Sequence, residues 1–128
     1  MRKGPSYQLK DLEQGCCVNS SKVIVMRLAK DTARKDFKLK TQDAVVQFIA
    51  YGGLENPSFI NSKPWENNPD PGLIMIDAYG FYSGCTFGYL AFLYHPKTQH
   101  WTIKSFKKND QLDPRVFALA KSKKWPRH

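Results

Sequence analysis

The sequence predicts an α+β domain in which helices cover one face of a small antiparallel sheet. Three strand-like runs, at 72–83, 86–95 and 101–106, are joined by two short turns, which predicts a three-strand antiparallel meander. A β-branched run within 21–28 predicts a further buried strand early in the chain. An apolar stripe at helical spacing predicts a helix at 42–51, between that strand and the meander.

The helix at 42–51 has signals at both of its ends. Thr41 is a good N-cap, and Asp43 in the first turn suits the positive end of the helix dipole. Gly52-Gly53 then supplies a stop. The charged segment before this helix, 29–40, is either a short exposed helix or a loop. The apolar stripe consists of Ala44, Val45, Phe48 and Ile49.

Two segments lack a regular pattern. Residues 55–71 contain four prolines, a density that excludes a regular helix or a central strand, so we expect an irregular connection there. Residues 1–21 are polar, and we expect an extension with at most a short turn of helix around 7–13. The chain is therefore predicted to consist of an N-terminal extension, 1–21, and a single domain, 22–128.

The third meander strand leads into a basic C-terminal segment. Asp113 and Pro114 are typical of a helix start, so we expect a C-terminal helix after the strand. Within 101–106, side chains at alternate positions are expected on opposite faces of the sheet. That alternation groups Trp101, Ile103 and Ser105 on one face, and Thr102, Lys104 and Phe106 on the other.

The chain is strongly basic. Twenty Lys and Arg residues against 11 Asp and Glu residues give a formal net charge of +9. Residues 97–128 hold nine of the basic residues and only two of the acidic ones. Such an excess favours phosphate backbones, anionic membranes or an acidic protein partner. The alternative is that the charge merely keeps the protein in solution, as in many small basic proteins.

The three cysteines, Cys16, Cys17 and Cys85, indicate reduced thiols, because adjacent cysteines rarely bridge each other and an odd count leaves one unpaired. No CxxC spacing is present, so neither a metal site nor a cofactor is expected. No apolar run approaches the roughly 20 residues of a membrane span, and no apolar stretch follows the first residues as in a signal peptide. We therefore expect a cytoplasmic protein without membrane contact.

The end of the third meander strand carries the candidate RNA-binding residues. Lysine ammonium groups on flexible stems suit phosphates at varied positions, and aromatic rings suit RNA bases. The alternative is a solvated strand end for the lysines and a core position for the tyrosine, and the sequence leaves both readings open. The candidates are Lys104, Lys107, Lys108, Arg115 and Tyr82.

A second set of candidates concerns RNA cleavage. Attack by an internal 2′-OH needs a base, an acid and cations that stabilise the phosphorane, and histidine suits the first two roles near neutral pH. His95 ends the second meander strand and His100 follows across the hairpin, so we expect the two side chains to lie close together. Together with Lys104 they are the candidate catalytic residues. Solvated turn positions are the commoner role of such histidines.

Taken in order, several segments resemble the RelE/HigB-type toxins of bacterial type II toxin–antitoxin modules, phage-derived relatives included. Segment 71–77 is similar to the family's Gly-Leu-x-Glu-Leu-Arg strand, and 88–94 is similar to its Tyr-Arg-Ile-x-Tyr strand. Segment 103–108 resembles its Leu-x-x-Phe-x-Lys-Lys strand end, and 114–120 resembles the opening of the next helix. The resemblance covers roughly residues 22–124, and the Phe-Lys-Lys part with its helix is the most specific.

The resemblance implies a RelE-like fold and an endoribonuclease that cuts free or ribosome-bound mRNA without a metal and is neutralised by a cognate antitoxin. The chain departs from the family at positions that help hold the scissile phosphate: Met75-Ile76-Asp77 stands in place of Glu-x-Arg, and Leu90 in place of the strand arginine. These departures leave a second hypothesis open. It is a non-catalytic basic binding module, such as a degenerate toxin or a phage-borne inhibitor that docks on a nucleic-acid enzyme.

Overall fold

The computed structural model describes residues 4–65 and 74–109, which form one five-stranded sheet and three α-helices. The strand order is β1-β5-β4-β3-β2; β1 runs parallel to β5, and the other neighbours are antiparallel. The predicted α+β class is confirmed, but the sheet is larger than expected and mixed rather than antiparallel. In chain order the elements are α1 (Leu9–Val18), a 3-10 turn (Ser20–Lys22), β1 (Val23–Val25), α2 (Arg27–Phe37), α3 (Gln42–Ala50), β2 (Glu55–Pro64), β3 (Met75–Ser83), β4 (Thr86–His95) and β5 (His100–Lys108).

Strand β2 lies where the sequence predicts an irregular connection, 55–71. It pairs antiparallel with β3 along nearly its whole length. Because β2 is an edge strand, a proline is tolerated wherever its missing N–H group would point away from the neighbouring strand. Pro64 ends the strand, and Pro57 falls in a register shift between Glu55 and Ser58. The prolines therefore exclude a central strand, but they do not exclude an edge strand.

The parallel contact between β1 and β5 is short, and a side chain closes its outer edge. After three paired residues, the Met26 N–H donates to the Ile103 carbonyl at 3.0 Å and α2 begins. On the other side of β1, Gln42 Nε2 donates to the Val23 carbonyl at 3.3 Å. The Oε1 atom of Gln42 accepts from the Val25 N–H at 3.2 Å. Gln42 thus takes the place of a neighbouring strand and satisfies an otherwise open sheet edge.

Helix α3 follows its sequence signals closely, whereas α2 begins at Arg27, inside the run 21–28 that predicts a strand. The charged segment 29–40 is mainly helical, and Lys38 caps the C-terminus of α2 with a φ of 60°, in the left-handed region. The predicted helix at 42–51 is confirmed as α3. Its N-cap is confirmed as well, because Thr41 Oγ1 accepts from the Ala44 N–H at 3.0 Å.

The N-terminal residues contribute to the core, although the sequence predicts an extension at 1–21. Helix α1 buries Leu12 and Cys16, which lie four residues apart and therefore on one face of the helix. Ahead of the helix, the Tyr7 N–H donates to the buried carboxylate of Asp77 at 2.9 Å. The polar composition of the segment obscured these two apolar positions, because a single pair is too few for a recognisable stripe.

The core fills the space between the helices and one face of the sheet. Phe81, Phe92 and Phe106, from three neighbouring strands, have no exposed surface. The ring of Phe48, in α3, meets the Phe106 ring edge-on at a centroid distance of 5.7 Å. Gly88 leaves room for this packing, since a Cβ atom there would lie 2.4 Å from Cζ of Phe81. The aromatic rings thus join all three central strands to α3.

A register shift in β5 decides which of its side chains reach the core. Ile103 and Ser105 lie opposite two consecutive residues of β4, so Lys104 between them has no opposite residue. Because of this β-bulge, each later side chain of β5 lies on the opposite face of the sheet from the one that strict alternation predicts. Phe106 is therefore buried in the core together with Ile103, whereas Ser105 lies on the other face. The strict alternation expected for 101–106 is wrong for this reason.

Within the parts of the chain that the structure describes, no helix is long and apolar enough to cross a membrane.

We expect Phe92→Ala to destabilise the protein severely. The side chain is fully buried, and truncating a buried phenylalanine costs about 3–5 kcal/mol. In a thermal melt this corresponds to a fall in Tm of more than about 10 °C. Lys107→Ala, at an exposed position, is the control and should melt like the parent. A Phe92→Ala variant with an unchanged Tm would mean that β4 is not the centre of the core.

The three thiols are expected to differ in reactivity. Burial raises the pKa of the Cys16 thiol to about 12, whereas Cys17 and Cys85 are exposed. The thiolate is the reactive form, so a thiol reagent at pH 8 should label two cysteines in the folded chain and the third only after denaturation. A Cys16→Ala variant should lose only the thiol that reacts after denaturation. Rapid labelling of all three thiols would contradict the packing of α1 in the core.

Candidate nucleic-acid interface

The candidate site lies on the face of the sheet opposite the core. Ala91 in β4 lies opposite Ala78 of β3 on one side and Ser105 of β5 on the other. Tyr89, two positions from Ala91, lies opposite Lys107. Because side chains alternate between the two faces of a sheet, these residues point away from the phenylalanine core. We call this side the groove face.

Two open pockets adjoin on the groove face. The larger, of about 530 Å³, is lined by Ile60, Asn61, Tyr89, Ser105, Lys107, Lys108 and Asn109. The smaller, of about 240 Å³, is lined by Asn61, Lys63, Pro64, Ile76, Ala78, Tyr89, Ala91, Lys104 and Ser105. Three residues, Asn61, Tyr89 and Ser105, line both pockets. The pockets therefore form one continuous depression, which we call the basic groove.

The described lining of the basic groove contains four lysines and no carboxylate. Lys104, Lys107 and Lys108 come from β5, and Lys63 comes from β2. Lys108, the last residue of β5, lies opposite Gly88 and therefore has the parity of the core side, so it lines the groove only at the end of the strand. Charges of one sign that line a concave surface reinforce one another, because the low-dielectric walls focus their field. The groove thus concentrates part of the net charge of +9 in one place. This geometry suits a polyanion rather than a single small anion.

The β-bulge positions one of these lysines. Lys104 is the residue without an opposite partner in β4, and its side chain lines the smaller pocket, next to Ser105. Without the bulge, strict alternation from Ile103 would place Lys104 and Phe106 on one face. The irregular register therefore lets Phe106 enter the core while Lys104 remains in the groove.

The lysine-bearing end of β5 is held in place by α2. Thr32 Oγ1 donates to the Phe106 carbonyl at 2.7 Å, and Asp36 Oδ2 accepts from the Lys108 N–H at 2.9 Å. Since β1 pairs only with the first part of β5, these side chains take over the hydrogen bonds of a neighbouring strand further along. The backbone of the strand end is thus fixed, although the side chains of Lys107 and Lys108 are exposed.

Tyr89 places an aromatic ring beside the lysines. The Lys107 ammonium lies over this ring, 5.6 Å from its centroid, in a cation–π contact. Burial raises the pKa of the Tyr89 phenol, so the group stays neutral well above physiological pH and adds no negative charge to the groove. Aromatic rings combined with basic side chains are the usual elements of sites for single-stranded nucleic acid.

The predicted RNA-binding residues separate into three groups. Lys104, Lys107 and Lys108 line the basic groove. Tyr82 is outside its described lining, and its ring packs on Phe87 of the neighbouring strand at a centroid distance of 5.1 Å. Arg115 and the predicted C-terminal helix lie outside the described residues, so their part in the site stays a prediction.

The candidate catalytic residues are only partly brought together. His95 and His100 lie directly opposite each other at the end of the β4–β5 hairpin, and the Nδ1 atom of each is buried with no hydrogen-bond partner among the described residues. At about 3.3 Å per strand residue, His100 is roughly 13 Å from Lys104 and roughly 23 Å from Lys107 along β5. The histidines therefore form a pair that is separate from the lysine-bearing strand end.

Asn61, Lys63 and Tyr89 line the groove but carry no signal in the sequence that predicts a site residue. Asn61 and Lys63 lie in β2. Polar side chains at every second position are typical of one face of a strand, but the prolines of this segment predict that it is not a strand. Tyr89 stands in a nearly continuous apolar run, which predicts a purely structural side chain. Among the described residues, no three His, Cys, Asp or Glu side chains are grouped so as to hold a metal ion.

We expect Asp36→Ala to loosen the end of β5. The Lys108 N–H would lose a hydrogen bond to a charged group, which contributes on the order of 1.5–3 kcal/mol. Amide hydrogen exchange at Lys108 should therefore accelerate at least about tenfold, while exchange at Ile103 should not change. Asp31→Ala, an exposed position on the same helix, is the matched control. Unchanged exchange at Lys108 would mean that α2 does not fix the strand end.

Comparison with protein-family models, curated proteins and solved structures gives no match for this chain. The RelE/HigB-type family therefore stays a prediction from the sequence.

Proposed function

We propose that this chain is a toxin-like RNA-binding protein and that the basic groove is its RNA-binding surface. The observation that carries the proposal is the composition of the groove: four lysines and an aromatic ring, with no carboxylate in its described lining. Phosphate contacts by lysine supply most of the affinity in sequence-independent nucleic-acid binding. The lysines that the sequence indicates, Lys104, Lys107 and Lys108, support the proposal because they lie in this groove.

The shape of the groove favours a nucleic-acid strand over the other polyanions that the charge allows. An anionic membrane is best met by a surface that presents cations and apolar side chains outward. Here Lys104 and Tyr89 lie in a depression, and both are half-buried. A flexible single strand can enter such a depression, whereas the surface of a bilayer cannot. An acidic protein segment is the competing occupant, and the binding experiment below distinguishes it from RNA.

The toxin-like part of the proposal rests on the resemblance to RelE/HigB-type toxins. An early strand, two helices and a meander that ends in Phe-Lys-Lys follow one another in this α+β fold, with β2 between the helices and the meander. On this proposal a cognate antitoxin covers the basic groove and neutralises the protein. An acidic segment would suit that role, because it would pair with the same lysines. The gene adjacent to this one is the first place to look for such a partner.

RNA cleavage is a second candidate function, and the histidine pair is the observation that favours it. His95 and His100 lie side by side, and two adjacent imidazoles are the groups that a base and an acid require near neutral pH. Their separation from Lys107 and Lys108 favours the simpler function, binding without cleavage. Leu90, which stands in place of the family's strand arginine, also favours binding without cleavage. Its side chain is fully buried in the core and cannot contact a phosphate.

We expect RNA binding to be salt-dependent and centred on the end of β5. Each neutralised phosphate of a single strand contributes about −0.7 to the slope of log K against log salt concentration. Lys107→Ala/Lys108→Ala should therefore weaken binding and flatten the slope by on the order of one to two units. Fluorescence anisotropy with a labelled 12-nucleotide RNA between 50 and 300 mM salt measures both effects.

The control for that experiment removes two charges elsewhere. Lys10→Ala/Lys30→Ala changes the net charge by the same amount at exposed positions on α1 and α2, outside the groove. It should leave the slope nearly unchanged. Equal slopes for the groove variant and the parent would show that these lysines are ordinary solvated surface and that the binding site lies elsewhere. An absence of RNA binding by the parent would leave the acidic protein segment as occupant.

A separate test addresses cleavage and toxicity. Expression of the chain alone is expected to arrest growth, and on the cleavage proposal the purified protein shortens an end-labelled RNA in the presence of EDTA. His95→Ala/His100→Ala should then bind RNA like the parent but leave it intact. Intact RNA with the parent protein would remove the enzyme proposal and leave binding alone. Normal growth at high expression would remove the toxin-like role.

A further inference from the structure

We propose that the larger pocket of the basic groove, at the side where it meets the smaller one, is a nucleobase subsite for single-stranded RNA, with Tyr89 as its stacking platform and Asn61 as the group that contacts the base edge. This inference rests on the proposed RNA-binding function and adds the form of the ligand. The phosphates of one nucleotide and the next would lie on the lysines on either side of the base.

The arrangement of charge along the groove supports this assignment. Lys107 and Lys108 line only the larger pocket, and Lys63 and Lys104 line only the smaller one. Between them lie the residues common to both pockets, Asn61, Tyr89 and Ser105, which carry no charge. A single strand has the same alternation, since a neutral base lies between successive charged phosphates. A groove that bound only a backbone would need no neutral stretch between its lysines.

The chemistry of the neutral stretch matches a base rather than a sugar or a phosphate. Tyr89 offers an aromatic ring, and Ile60 from β2 offers an apolar side chain that is 43% exposed. The Asn61 amide offers both a donor and an acceptor, which a base edge can use in either orientation. The open pocket has a volume of about 530 Å³, which leaves room for a base.

Tyr89 is held firmly enough to act as a platform. It lies in the middle of the sheet, paired with Gly80 of β3 and with Lys107 of β5. Its ring is half-buried and carries the Lys107 ammonium at 5.6 Å, so the cation and the ring are already positioned together. Such pre-organisation lowers the entropy lost when a ligand binds. A base in a duplex is stacked on its neighbours and cannot reach this ring, so the subsite should select single strands.

The test compares two labelled oligonucleotides of 12 residues that carry the same number of phosphates. One is a uniform base-bearing RNA, and the other is the corresponding abasic strand. The parent protein should bind the base-bearing strand roughly five- to hundredfold more tightly, the gain expected from stacking a single base. The salt slopes for the two strands should agree, because the phosphate contacts are the same. A base-paired duplex of the same length should bind more weakly than the base-bearing strand.

Two variants locate the effect at Tyr89. Tyr89→Leu keeps an apolar side chain but removes the ring, so it should lose the preference for the base-bearing strand and keep its affinity for the abasic one. Tyr89→Phe keeps the ring and should keep the preference. Tyr51→Leu is the matched control, because that tyrosine is exposed at the end of α3, outside the described lining of the groove. If Tyr89→Leu does not fold, the parent protein's relative affinity for the base-bearing and abasic oligonucleotides still tests the nucleobase subsite.

The outcomes distinguish a failed subsite from a failed function. Equal binding of both strands by the parent, with a normal salt slope, would overturn the nucleobase subsite and leave the RNA-binding groove intact. A preference for bases that persists in Tyr89→Leu would overturn the role of Tyr89. Absence of salt-dependent binding to either strand would overturn the proposed function itself.

Discussion

The register shift between β4 and β5 is the feature on which both the core and the groove depend. One residue, Lys104, is left without an opposite neighbour, and the parity of every later side chain in β5 is reversed. Phe106 then packs against Phe81 and Phe37 at ring distances of 5.3 and 5.2 Å. In the absence of the shift, burying Phe106 would require Lys104 to enter the same apolar core, at a cost that no described contact would offset.

Two layers of support around this strand explain why a basic strand end is ordered. On the core side, the buried aromatic rings hold β5 to β4 and to α3. At the edge, Thr32 donates a hydrogen bond to the strand end and Asp36 accepts one from it, and these bonds take the place of a further strand among the described residues. The backbone that carries the exposed ammonium groups is therefore held in place against the repulsion between them. Lysines on a fixed backbone lose less entropy on binding a polyanion than the lysines of a flexible basic tail would.

The sequence predicts most of the elements, because their signals are local. Thr41 and the apolar stripe define α3, and the turn residues define the β3–β4 and β4–β5 connections. The features that the sequence does not reveal depend on contacts between distant segments. Whether a proline-rich run becomes an edge strand depends on β3, to which β2 pairs, and the packing of α1 depends on a core formed by later residues. The bulge at Lys104 has the same origin, since two strands jointly set their register.

The residues of the candidate site likewise divide into those with a local sequence signal and those that depend on contacts between distant segments. The lysines of the β5 end are recognisable because they follow an alternating strand, whereas Lys63 and Asn61 join them only through the order of strands in the sheet.

The central claim is that RNA lies on the groove face, and a nuclear magnetic resonance titration with a single-stranded RNA tests it most directly. We expect shifts of the backbone amides of Asn61, Tyr89 and Ser105–Lys108, with little change in α1 and α3. Shifts confined to the helices, or none at all, would contradict the account.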